Sequence, residues 1–204
     1  NLLNFQQVNY YRDMNKTRLE AFSDGVLAII ITIMVLELKV PHGTDFSALK
    51  PMLSVFLSYV LSFIYIGIYW NNHHHLLQAA KKTNGKILWA NLHLLFWLSL
   101  IPFTTGWMGE NHFASHPTAL YGINLLFAAI SYTILQSLII KHHGKEHFLA
   151  EAVGKDWKGK VSLILYVAGI IASFFAEWLA GICFVVVALI WLIPDKRIES
   201  KITD

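Results

Sequence analysis

Residues 18–41 read RLEAFSDGVLAIIITIMVLELKVP. Arg18, Ser23 and Asp24 stand at the entrance of an apolar run, and beyond Asp24 the only polar residue before Glu37 is Thr32. About 20 such residues cross the hydrocarbon core of a bilayer as a helix, and a charge entering a span is costly and marks a function. At about 100° per residue, Phe22, Gly25, Ile29, Thr32 and Leu36 fall on one stripe, with Ile33 at its edge. Asp24 lies roughly 140° from Ile29, so a second face carries it toward neighbouring helices. A carboxylate there needs a partner. The candidates are Arg18 and the His73-His74-His75 run.

The rest of the chain has the same character. Its 204 residues are 55% hydrophobic and only 14% charged, against about 25% charged in a soluble domain. This predicts an all-α polytopic membrane protein with one domain over residues 1–204. Spans are expected at 18–38, 52–70, 87–107 (kinked at Pro102) and 118–140 (opening after Pro117). Val161–Ile193 holds 33 residues, which would run roughly 50 Å as one helix, too long for a single crossing. A break at Glu177-Trp178 yields spans at 161–176 and 178–193, six in all. The alternative is five helices, the last strongly tilted. The first 17 residues are polar and do not read as a secretory signal. The single cysteine, Cys183, allows no disulfide within the chain and no cysteine-based zinc site.

The positive charges favour six spans. With the N-terminus inside, 14 of the 16 Lys and Arg residues fall in inner segments, and only Lys39 and Lys50 lie outside. That bias sets both termini in the cytoplasm, whereas five spans would move the C-terminal Lys196, Arg197 and Lys201 outside. The inner lysines can touch anionic lipid, and nothing in their scatter suggests nucleic acid. No internal repeat supports an inverted-repeat transporter.

Arg18-Leu19-Glu20-Ala21-Phe22-Ser23-Asp24-Gly25 resembles the R-x-x-x-F-S-D-G motif of the lysosomal potassium channel family that lacks a TVGYG filter, in its bacterial form with one six-helix repeat per chain. Trp70-Asn71-Asn72-His73-His74, Leu100-Ile101-Pro102-Phe103 and Leu192-Ile193-Pro194-Asp195 resemble further family segments, so the likeness covers nearly the whole chain. It implies a non-enzymatic homotetramer in a bacterial inner membrane, without a cofactor or bound metal, that passes potassium ions. Four copies of the first helix would line the pore. Carried over by position, Ile29 is the apolar constriction, Thr32 a hydroxyl ring one turn outward, Ile33 adjacent and Leu36 a further layer. Arg18, Phe22, Ser23, Asp24 and Gly25 belong to the segment that supports the pore helix, with a histidine from His73, His74 and His75 in its hydrogen-bond network. Potassium is larger and more weakly hydrated than sodium and loses less at such a ring, which favours potassium. Ile66-Gly67-Ile68-Tyr69 is only a superficial echo of TVGYG.

Ten histidines raise a rival class. His143 and His147 have helical metal-ligand spacing, and membrane di-iron oxidoreductases use histidine clusters because imidazole suits iron. The His-x-x-His-His box of such enzymes is absent. His73–His75 could instead satisfy helix-end carbonyls or sense pH. A slow carrier is the third class. Glu37 and Glu177 sit near span ends rather than at mid-membrane, and His93 is the one histidine inside a span, so a proton relay is poorly supported.

Overall fold

The computed structural model describes the backbone of residues 2–80, 83–143 and 156–192, and the side chains of 16–80, 83–142 and 156–192. Its regular elements are helices. They are α1 (Leu2–Leu36), a 3-10 segment (Phe46–Met52), α2 (Leu53–Ala79), α3 (Gly85–Ser99), α4 (Ile101–Glu110), α5 (Ser115–His143), α6 (Trp157–Ala172) and α7 (Glu177–Leu192). Among the described residues, four stretches are long and apolar enough to cross a membrane: Lys16–Leu36, Phe46–Ala79, Gly85–Glu110 and Ser115–His142, with α7 a shorter apolar helix.

Several boundaries differ from the sequence expectation. The second helix does not stop at Trp70 but runs on through Asn71-Asn72-His73-His74-His75 to Ala79. The reason is burial: Leu76 and Leu77 are fully enclosed, and Asn72 Nδ2 donates back to the Ile68 carbonyl at 2.8 Å. The fifth helix begins at Ser115, before Pro117. Proline is tolerated there because the first turn has no intrahelical partner for its missing N–H. The third span breaks at Leu100, and Pro102 sits in the first turn of α4 for the same reason. The break in the last region falls at 173–176 rather than at Glu177-Trp178. Ser173 Oγ donates to the Ile170 carbonyl at 2.7 Å, and Phe175 N to Ala172 O at 2.9 Å, which closes the turn. Two separate helices fold back on each other there, so the single long tilted helix is not formed.

The packing order is a chain of neighbours. α1 rests on α2, α3 and α4; α2 packs on α4 and α7; α5 takes α3, α4 and α6; and α6 pairs with α7. Phe184 of α7 locks the second half. A Cβ on Gly122 of α5 would come within 2.6 Å of its ring, and one on Gly169 of α6 within 2.7 Å. The two glycines thus form a notch that only a missing side chain leaves open. Tyr65 Oη of α2 donates to the Phe184 carbonyl at 2.6 Å. Gly109 plays the same part between α4 and α2, where an added Cβ would collide with Ser58 Oγ. Lys81, Lys82, Lys145, Lys155, His147, the side chain of His143, and the residues from Ile193 onward, including Pro194-Asp195 and the C-terminal basic cluster, lie outside the described residues.

Candidate functional site

The two faces of α1 have opposite fates. Leu19, Ser23, Leu27, Ile30 and Met34 recur at helical spacing and are buried against the rest of the chain. The other stripe is open: Phe22 is 54% exposed, Ile29 60% and Leu36 75%, with Ile33 also exposed. Nothing lies within 4 Å of where a Cβ on Gly25 would sit. Thr32 shares this face, and its hydroxyl donates to the Ala28 carbonyl of its own helix at 2.9 Å. Its one proton is spent, so the outward side of the oxygen offers only lone pairs. That is a group suited to a cation and not to an anion.

Behind this stripe runs a buried polar chain across three helices. Ser23 Oγ donates to the Leu19 carbonyl at 2.8 Å and accepts from Asn91 Nδ2 of α3 at 2.9 Å. Asn91 Oδ1 meets His73 Nε2 of α2 at 2.6 Å. An amide oxygen only accepts, so His73 carries its proton on Nε2 and donates. Ser23, Asn91 and His73 are all buried, where an unpaired polar group is expensive. The chain therefore fixes the rotation of α1 as well as its contact with α2 and α3.

Of the histidine run, His73 alone joins Ser23, and it does so through an intermediary. Asn91 was missed at the level of sequence. Its signal was present, since an amide in the apolar run 87–107 must find a partner. Asp24 does not pair with Arg18 or a histidine in the described structure. It is exposed, and its Oδ1 accepts from Trp70 Nε1 at 3.1 Å. The reason is reach and depth: the indole stands opposite it on α2, while His73 is turned inward to Asn91. Trp70 in turn stacks on His74 with ring centroids 5.9 Å apart, and His74 meets His75 edge-on at 5.6 Å. Arg18 is exposed at the entrance of the span. Lys16 ties the same end of α1 to α2 by donating to the Gln78 carbonyl at 3.1 Å.

His93 is exposed but bridges two helices through its ring nitrogens. Ser131 Oγ gives its proton to the Phe127 carbonyl at 2.7 Å, so His93 Nδ1 donates to Ser131 Oγ at 3.1 Å. His93 Nε2 accepts from Trp97 Nε1 at 3.1 Å, so the ring joins α3 to α5. At the far end of α1, Lys39 and Glu110 pair at 2.8 Å. The hydrogen bond and charge of Glu110 raise the Lys39 ammonium above its ordinary range. Among the described residues, no three His, Cys, Asp or Glu side chains are grouped to hold a metal ion.

Residues 18–102 match the family described as endosomal/lysosomal potassium channel TMEM175. The chain is 60% identical over 191 residues to a protein named as a potassium channel from Chryseobacterium sp. (strain P1-3), covering 94% of this chain and 100% of that relative. It is 32% identical over 187 residues to a protein named as a potassium channel from Chamaesiphon minutus, covering 82% of this chain and 89% of the relative. The crystal structure of a lysosomal potassium-selective channel TMEM175 homolog from Chamaesiphon minutus is similar with a TM-score of 0.70 at 29% identity, over 87% of this chain and 96% of that one. That family is one of channels rather than enzymes, and the histidine-iron reading is set aside on that ground. On its sequence and its fold together, this chain belongs to the TMEM175 potassium channel family.

Proposed function

We propose that the protein is a potassium-permeable channel, selective for potassium over sodium, whose pore is lined by α1 from four identical chains. The observation that carries this reading is the exposed stripe of Phe22, Gly25, Ile29, Thr32 and Leu36 opposite a buried and hydrogen-bonded face. In a membrane such a stripe is covered either by lipid or by copies of itself. Membership of a potassium channel family favours copies. Ile29 forms the narrowest ring, Thr32 offers hydroxyl lone pairs one turn further out, and Ile33 and Leu36 extend the apolar lining. An apolar ring gates by dewetting and favours the ion that sheds water more cheaply, which is potassium. The Ser23–Asn91–His73 chain and the Asp24–Trp70 contact brace the helix from behind and do not touch the ion.

In this reading the chain crosses a bacterial inner membrane six times with both ends in the cytoplasm. α6 and α7 have 16 residues each, roughly 24 Å of helix. They cross where the bilayer thins around them, at a modest cost. Potassium flux through purified protein in liposomes, with sodium as control, tests the reading. Potassium-favouring flux with unitary currents is expected. Saturating flux without unitary events would instead mark a carrier, and no flux at any voltage would overturn the reading.

A further inference from the structure

α2, α5, α6 and α7 line a partly open cavity, and among the described residues α1 contributes none of its wall. It offers about 40 Å³ of room for water centres, and since one water needs roughly 10–15 Å³ this is space for a group the bulk of a trimethylammonium. Aromatic rings dominate its lining. Tyr69 and Tyr132 stand with centroids 6.2 Å apart and planes at 65°. Tyr132 and Trp191 stand at 6.4 Å and 74°. Tyr132 thus meets a ring on either side at a steep angle, and Tyr166 adds a further aromatic side chain to the lining.

The polar edges of Tyr132 and Trp191 are already engaged. Tyr132 Oη donates to the Asn72 carbonyl at 3.2 Å, and Trp191 Nε1 to Ser162 Oγ at 2.8 Å. What remains for a ligand is π surface, which attracts cations. Among the described residues, Asp156 is the one carboxylate in the lining. It caps α6 by accepting from Gly159 N at 3.2 Å, and its other oxygen lies where a Cβ on residue 159 would be. Glycine at 159 therefore makes room for the carboxylate. Among the described residues, no lysine, arginine or histidine is part of the cavity lining. Lys158 rests over the Trp191 ring with Nζ 5.7 Å from its centroid, so this ring already draws one ammonium.

We infer that this cavity binds a methylated ammonium group, with the cation among Tyr69, Tyr132, Trp191 and Tyr166 and its charge facing Asp156. The same chemistry is carried by free choline and by the headgroup of phosphatidylcholine. The site is separate from the α1 stripe and stands whether or not that stripe conducts.

The test is calorimetric titration of the full-length protein in phosphatidylglycerol nanodiscs with choline and with its neutral carbon isostere, in which tert-butyl replaces trimethylammonium. A cation held by desolvated aromatic faces gains enough that choline should bind at least about fivefold more tightly than the isostere. Trp191→Leu and Asp156→Asn should each weaken choline binding, Tyr132→Phe should retain it, and Ile29→Asn should leave it unchanged. Asp156→Asn keeps a capping oxygen, and Tyr132→Phe keeps the ring, so these variants separate loss of the site from loss of the fold. In phosphatidylcholine discs, a lipid ligand would abolish the choline heat, whereas a free ligand would leave it intact. Equal binding of choline and isostere, absence of binding in phosphatidylglycerol, binding indifferent to Trp191→Leu, or loss of binding in Ile29→Asn would overturn the assignment.

Discussion

Asn91→Leu removes the middle of the chain that holds α1 while keeping the number and branching of the side-chain heavy atoms. Asn91 makes two contacts: its oxygen takes the His73 Nε2 proton at 2.6 Å, and its nitrogen donates to Ser23 Oγ at 2.9 Å. Their losses are unequal. Ser23 still spends its own proton on the Leu19 carbonyl. His73 is 3% exposed, so its ring N–H is stranded away from water. A stranded buried donor costs about 1–3 kcal/mol, and that is the expected loss for Asn91→Leu. His73→Leu strands the Asn91 oxygen instead and costs a similar amount. The double variant removes both partners and replaces them with apolar groups, which is far closer to neutral. The two losses should therefore fall short of additivity by about 1 kcal/mol or more, well outside the roughly 0.3–0.5 kcal/mol scatter of independent sites. Reversible unfolding in mixed detergent micelles measures all four corners of the cycle. Additive losses, or an Asn91→Leu chain as stable as the parent, would refute the chain of bonds as the brace of α1.

The remaining expectations are as follows. Thr32→Val keeps the shape and removes the hydroxyl that bonds Ala28 O; single-channel potassium conductance should fall, while Thr32→Ser should retain it. A Cβ added at Gly25 meets no neighbour within 4 Å, so Gly25→Leu should not lower the stability of the chain to unfolding while potassium flux in liposomes is lost; unchanged flux would turn that stripe toward lipid. Phe184→Ala empties the notch between Gly122 and Gly169 and should cost about 3–5 kcal/mol. Gly169→Leu overfills the same notch and should cost about 1–3 kcal/mol, both read by the same unfolding assay.

The fold was legible wherever apolar length carried it. The run from Val26 to Leu36 and its exposed stripe could be read from spacing, because a helix converts a sequence interval directly into an angle. Helix ends were less legible. Asn71 to His75 look like an exit from the membrane, yet Leu76 and Leu77 behind them are wholly buried and pull the helix on to Ala79. The sequence reads the last break at a charge, Glu177, whereas it follows the turn at Ser173 to Ala176, whose closing bonds involve backbone carbonyls that no residue type announces.

The polar chain shows the same division. Ser23 and His73 were visible as candidates, but the partner joining them is an asparagine on a third helix, and single-sequence spacing carries no information about which helices touch. Asp24 was paired in expectation by charge, and the structure pairs it by hydrogen bond with Trp70. A carboxylate near the span entrance is wet enough to be satisfied by a neutral donor, so formal charge was the weaker guide there.

The most direct test of α1 as the pore lining is the reversal potential of Ile29→Asn under opposed potassium and sodium gradients. An amide at that ring holds water and removes the dewetted barrier, so the reversal potential should move toward zero while conductance rises. A potential identical to that of the parent channel would place the ion filter on residues other than the Ile29 stripe.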